Sequence, residues 1–316
     1  MPPMYTDLLL QTLSITLPVI FLVVLGVFLK ARNQIDDAFV SVSSKLVFNV
    51  SLPVLMFMAI VTADMTVAEH MPLVWFSVAA GVAVYLLAVV VARMVRLNTA
   101  AYGAFVQASF RSNLGIIGLA LCLNAYPEQG AVLGALVLAV VTPIYNLLSV
   151  WVLSSGQEGV SWKNQLVATA RNPLIIAIAL AALVRQAGVE MPGIALRTGD
   201  ILAGLTLPLA LIGIGASLSF GRQLLSDWVA MTSVALKLVV LPVLVITMAV
   251  LAGFSGPSLM VVALMFSSPT AAAAFVMAKS MQADARLTAD VIALSTLGSG
   301  LTVTTIIYVL NLSGLI

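Results

Sequence analysis

Apolar segments of membrane length follow one another along this chain, and two of them are interrupted in the same way. Phe110-Arg111-Ser112-Asn113-Leu114-Gly115 and Phe266-Ser267-Ser268-Pro269-Thr270-Ala271 lie 156 residues apart. Each puts polar, Gly or Pro residues midway through the fourth apolar segment of its half. In lipid every backbone N–H and C=O must find a partner within the protein, so such breaks persist only where protein or a water-filled cavity satisfies the freed groups. Paired interruptions in corresponding segments of two halves point to a midplane binding site of the kind secondary transporters build.

Composition closes off most other fold classes. With 62% hydrophobic residues, 8% charged residues and a mean hydropathy of +1.16, the chain has too little charge to cover a water-soluble surface. The net charge is only +2 and the 14 basic residues are scattered, which argues against a nucleic-acid partner. A single cysteine, Cys122, excludes disulfides within the chain and any cysteine-rich metal site. A single histidine, His70, likewise excludes histidine clusters for metal binding or catalysis. The first apolar run lacks a basic leader and a small-residue cleavage pattern, so residues 8–30 read as a retained span.

A spanning helix needs about 20 mostly apolar residues. The sequence then predicts an all-α membrane protein with spans near 8–30, 38–62, 71–94, 101–124 and 129–154, followed by 172–186, 198–219, 227–252, 257–280 and 288–312. The longest connection, 155–171, begins Ser155-Gly156-Gln157-Glu158-Gly159 and reads as a cytoplasmic linker between residues 1–154 and 172–316. Placing both termini outside puts Lys30, Arg32, Arg93, Arg96, Lys163, Arg171, Arg222, Lys279 and Arg286 in inside loops, and only Arg185 and Arg197 in outside loops. That is the bias of the positive-inside rule. The halves also align. Asn49-Val50-Ser51-Leu52-Pro53 matches Gly204-Leu205-Thr206-Leu207-Pro208 at an offset of 155, close to the offset of the two interruptions. An odd number of spans per half makes the second copy enter from the opposite side, as an inverted repeat.

At this point the residues resemble a known family. Leu-Pro in the second and seventh spans and the Asn-x-Gly-x-x-Gly run from Asn113 to Gly118 are similar to the auxin efflux carrier family, over nearly the whole chain. Bacterial members include proteins described as malonate and malate transporters. The resemblance implies a fold akin to bile acid sodium symporters and sodium/proton antiporters, with a scaffold domain, a mobile domain, a crossing pair of broken helices, and dimers among its relatives. The connection at 155–171 is short where plant members carry a long cytoplasmic loop, which counts against auxin itself as the substrate.

The candidate binding residues are those that could line the crossing. Gly115 and Gly118 in one segment and Pro269 in the other mark the expected breaks, flanked by Ser112, Asn113, Ser267, Ser268 and Thr270. Half-helix N-termini attract anions and C-termini attract cations. Arg111 lies about 15 Å into its span, where a guanidinium costs about 2.5 kcal/mol or more, and no Asp or Glu sits at mid-depth to neutralise it. A carboxylate substrate could do so through a bidentate pair. Snorkelling, or bonding to carbonyls of the partner segment, is the structural alternative. Lys237 is equally deep and reads as a proton carrier, as a fixed charge in place of a coupling sodium ion, or as a structural cation bonded to carbonyls. Lys45 can reach the inner surface and reads as structural. Asn49, Ser51 and Thr206 sit beside Pro53 and Pro208, each of which frees the carbonyl four residues earlier. Tyr145 and Asn146 form a polar pair in the apolar fifth span, suited to lining a cavity or to bonding between helices.

No catalytic constellation and no resident cofactor is expected. Without a central carboxylate, coupling falls to Lys237, to a sodium site of carbonyls and hydroxyls, to protons, or to uniport driven by the substrate's charge. The sequence therefore reads as an inner-membrane carrier of a small organic anion, a dicarboxylate such as malonate or malate. An amphipathic monocarboxylate of the auxin type is the second reading, and an anion channel the third.

Overall fold

The computed structural model describes residues 5–62, 67–154, 167, 171–218 and 226–316. The expected linker at 155–171, apart from Val167 and Arg171, and the loop cations Lys163 and Arg222 lie outside the described residues. Those residues are helical throughout, and their one β-type feature is an isolated antiparallel bridge between Ser112 and Thr270.

Helix α1 (Tyr5–Ala31) is followed by α2 (Asp37–Leu46), a π-helical turn at Val47–Ser51 and α3 (Leu52–Val61). Next come α4 (Met71–Val95), α5 (Thr99–Phe110), a second π turn at Leu114–Gly118, α6 (Leu119–Ala125) and α7 (Gln129–Leu153). The later part of the chain holds α8 (Pro173–Gln186), α9 (Gly193–Gly204) and α10 (Thr206–Ser217). It continues with α11 (Trp228–Ala235), a third π turn at Leu236–Val240, α12 (Leu241–Leu251), α13 (Gly256–Ser267), α14 (Ala273–Ser280) and α15 (Ala285–Leu312).

Seven of the helical stretches among the described residues are long and apolar enough to cross a membrane. Three further apolar helices are shorter, at Leu114–Ala125, Pro173–Gln186 and Gly256–Ser267. Two of these three belong to the segments read as interrupted from sequence, and the interruption is what shortens them. Large apolar side chains such as Phe21, Leu86 and Ile201 are exposed, as lipid-facing residues would be, and exposed Trp75, Trp151 and Trp228 lie near helix ends.

Proline sets where the helices bend. Pro53 and Pro242 cannot donate, and their rings crowd the carbonyls four residues back. In both cases the helix widens into a π turn just before the proline, with Leu52 N–H bonding Val47 O and Leu241 N–H bonding Leu236 O. Before Pro208 the chain breaks at Leu205, between α9 and α10. Lys237 therefore sits inside a π turn rather than on a regular helix face.

The helices sort into two packed groups. One holds α1, α2–α3, α8 and α9–α10; the other holds α4, α5–α6, α7, α11–α12, α13–α14 and α15. In the first group α1 and α10 touch backbone to backbone. A Cβ on Gly26 would lie 2.1 Å from Ile212 O, and one on Gly215 would lie 1.9 Å from Val23 O. Only glycine permits that approach. In the second group Phe110 is clamped edge-on between Tyr85 and Tyr145, which fixes the end of α5 against α4 and α7.

Candidate functional site

The two interrupted segments meet, and each satisfies the other's freed backbone. Helix α5 ends at Phe110 and α13 at Ser267, and the chain beyond each runs extended at Arg111 and at Ser268. Ser112 and Thr270 face each other in the antiparallel bridge. On either side of that pair, Asn113 N–H donates to Pro269 O at 2.7 Å and Ala271 N–H donates to Arg111 O at 3.0 Å. A break that would cost several kcal/mol per orphaned group in lipid is thereby nearly neutralised. In the first segment the break falls at Arg111–Asn113, a few residues ahead of the expected Gly115 and Gly118. Those glycines instead lie in the π turn, where Gly118 N–H bonds Asn113 O at 2.9 Å.

Several residues expected to line the site are consumed by the crossing. Thr270 Oγ1 donates to Ala108 O at 2.7 Å, its N–H donates to Ser295 Oγ at 3.1 Å, and Ser268 Oγ donates to Met265 O at 2.7 Å. Ser267 is fully buried and its hydroxyl has no partner among the described residues. Lys237 is also part of the crossing. Its ammonium donates to Ser112 Oγ and, at 3.2 Å, to Phe266 O, while Ser112 Oγ donates to the same carbonyl at 3.3 Å. The cation thus sits at the C-terminal end of α13, where the helix dipole favours positive charge, and ties both broken segments together.

Beside the crossing, between the two helix groups, lies a cavity of about 810 Å³. Of the expected site residues it takes in Arg111, Ser112, Asn113, Gly115, Tyr145, Asn146 and Asn49. Ser267, Ser268, Pro269, Thr270, Ser51, Thr206 and Lys237 are not among its walls. The hydroxyls of Ser51 and Thr206 are buried without partners among the described residues. The walls are largely apolar, with Leu52, Leu138, Ile214 and Phe275 among them, and contain no Asp or Glu among the described residues.

Arg111 is the focus of this cavity. Only 7% exposed, it donates from one terminal nitrogen to Ser149 Oγ at 3.0 Å and from the other to Asn146 Oδ1 at 2.6 Å; Nε has no partner. Two of the five guanidinium donors are used, both on neutral acceptors, so the charge itself is uncompensated among the described residues. Tyr145 adds a buried hydroxyl next to Ser112 and Arg111. Two helix starts complete the arrangement. Leu114, Gly115 and Ile116, opening the π turn that leads into α6, and Ala271–Ala273, opening α14, all line the same cavity. Helix N-termini present unpaired N–H groups and partial positive charge.

Sequence reasoning missed part of this wall. Thr142 lines the cavity and Ser149 holds Arg111. Thr142, Tyr145, Asn146 and Ser149 fall at helical spacing on one face of α7, a signal that was available. Ala271–Ala273 carry no polar side chain and contribute through backbone, which leaves no mark in residue type. Lys45, read as a surface cation, also borders the cavity.

These features define an all-helical integral membrane protein whose broken segments meet beside a cationic cavity. The chain belongs to a family of transporters, since the model for the membrane transport protein family, the auxin efflux carriers, matches residues 13–308. A comparison with curated proteins finds no match.

Proposed function

We propose that this transporter carries a small organic anion through the cavity beside the crossing, by alternating access. The observation that carries this reading is the convergence of an Arg111 guanidinium and two helix N-termini on a cavity where the described residues supply no carboxylate. Each element alone stabilises negative charge, and in a low-dielectric site their effects reinforce one another. A dicarboxylate such as malonate or malate would use the guanidinium for one carboxylate and the helix starts for the other. The apolar walls favour a second reading, an amphipathic monocarboxylate of the auxin type, its ring resting on Leu138 and Phe275.

In this reading the ten apolar stretches all cross the membrane, two of them as the broken pairs α5–α6 and α13–α14. Residues 1–154 and 172–316 form two inverted five-helix repeats joined by a cytoplasmic linker at 155–171. Both termini face outward from a bacterial inner membrane, and the protein works as a carrier in a homodimer. The group containing α5–α6 and α13–α14 moves against the group containing α1 and α10. Lys237 acts as a fixed cation that holds the crossing rigid during that motion, so that proton or sodium coupling, if present, lies elsewhere.

The test is thermal stabilisation of the purified protein by a panel of mono- and dicarboxylates that includes malonate, malate and indole-3-acetate, with the wild type beside Arg111→Ala. The expected result is stabilisation of the wild type by one class and none of the variant. An equal response of both proteins would remove Arg111 as the counter-charge.

A further inference from the structure

A second cavity, of about 470 Å³, also lies between the two groups of helices, with α1, α3, α9 and α10 on one side and α6 on the other. The two cavities touch successive stretches of shared elements. Along the first broken segment, residues 111–116 line the larger cavity and Ala120, Leu123 and Asn124 the smaller. Along α10 and the residue after it, Ala210, Gly213, Ile214, Ser217 and Leu218 line the larger and Leu207, Pro208 and Leu211 the smaller, so that the two meet at Ala210–Leu211. Leu52 borders one and Leu55 the other. They are therefore stacked along one route, with the packed middle of these elements as the partition. That partition is tied on its far side by Asn124 Nδ2, which donates to Ile15 O of α1 at 3.0 Å.

Each cavity has one charged residue from an equivalent position. Lys45 on α2 borders the larger cavity, and Asp200 on α9 borders the smaller. They are 155 residues apart, the offset that superimposes Pro53 on Pro208. Both are exposed, and neither forms an ion pair or hydrogen bond among the described residues. Arg197, one turn before Asp200 on the same helix, makes no ion pair with it and lines neither cavity.

We infer that Lys45 and Asp200 are opposed charges that make the two faces of the carrier unequal toward an anion. Lys45 draws the anion into the larger cavity ahead of Arg111, and Asp200 repels it at the mouth of the smaller one. This rests on the anion-carrier reading and adds to it a sidedness: the apparent affinity is higher at the Lys45 face. By microscopic reversibility the charges set the two half-saturation concentrations and leave the final gradient unchanged. With positive residues inside, the Lys45 face is the cytoplasmic one, and the asymmetry favours loading from within and release outside.

The experiment measures uptake of radiolabelled malonate, and of indole-3-acetate in parallel, into right-side-out and inverted membrane vesicles from cells expressing the full chain. Lys45→Gln raises the half-saturation concentration at one face by about threefold to tenfold, the order expected of a single partly screened charge, and leaves the other face unchanged. Asp200→Asn lowers it by a similar factor at the opposite face only. Lys45→Arg retains wild-type values, and raising the salt concentration erases the difference between Lys45→Gln and wild type. Wild-type transport with equal effects of Lys45→Gln at both faces, or with none, overturns the inference and spares the carrier reading. Uptake of neither anion by the wild type overturns both.

Discussion

Lys237 is held by two acceptors, Ser112 Oγ and Phe266 O, on the two broken segments. Lys237→Met keeps the side-chain length and removes the charge. It gives up two charge-assisted hydrogen bonds, to Ser112 Oγ and Phe266 O, worth about 1.5–3 kcal/mol each. It also removes the several kcal/mol needed to bury an ammonium. The carbonyl is not orphaned, because Ser112 Oγ still donates to it at 3.3 Å. The two effects cancel to within about 2 kcal/mol. Ser112→Ala behaves differently. In the wild type it strips the ammonium of one of its two acceptors and costs about 1.5–4 kcal/mol. In the Lys237→Met background only a neutral bond is lost, at about 0.5–1.5 kcal/mol. The double-mutant cycle, read from unfolding of the detergent-solubilised protein, should therefore give a coupling of about 1–3 kcal/mol. An equal cost for Ser112→Ala in both backgrounds would refute the ammonium as the brace of the crossing.

Other consequences follow from the same contacts. Gly215→Ala forces a Cβ into Val23 O and should cost about 1–3 kcal/mol in thermal unfolding, whereas Gly204→Ala meets nothing within 4 Å and should be neutral or stabilising by up to about 1 kcal/mol. Gly26→Ala combined with Gly215→Ala should cost less than the sum, because both push α1 from α10. Asn146→Ala strips the buried Arg111 guanidinium of one of its two acceptors and, as with Ser112→Ala at Lys237, should cost about 1.5–4 kcal/mol in thermal unfolding. Asn124→Leu removes the tie to Ile15 O and should increase labelling by a membrane-impermeant thiol reagent of a cysteine placed at Leu123, read as a rate.

Much of this architecture was legible in the residues because it follows from the cost of bare backbone in lipid. Apolar length gave the helices, and Ser112-Asn113 and Ser267-Pro269 marked the breaks because no regular lipid-facing helix would hold them. Pro53 and Pro208 marked bends for the same reason. What residue type could not reveal was the allocation of polar groups between crossing and cavity. Ser268 and Thr270 look like site residues, yet both hydroxyls are taken by backbone carbonyls, that of Ser268 by Met265 of its own helix and that of Thr270 by Ala108 of α5. Ala271–Ala273 look inert, yet their backbone opens α14 onto the cavity. Lys45 sits where a snorkelling cation would, and its place on the cavity wall depends on how α2 packs against α10, which no local pattern encodes. The π turn around Lys237 follows from Pro242, a proline whose effect could have been read in the way that of Pro53 was.

The most direct test of the anion site is to locate a bound anion. Bromomalonate added to the purified protein, with its bromine position found by anomalous diffraction, reports where a dicarboxylate sits. The account predicts a site in the larger cavity, with a carboxylate within hydrogen-bonding distance of Arg111 and facing the start of α14, absent in Arg111→Ala. Bromine bound away from Arg111, or bound equally well in the variant, would contradict it.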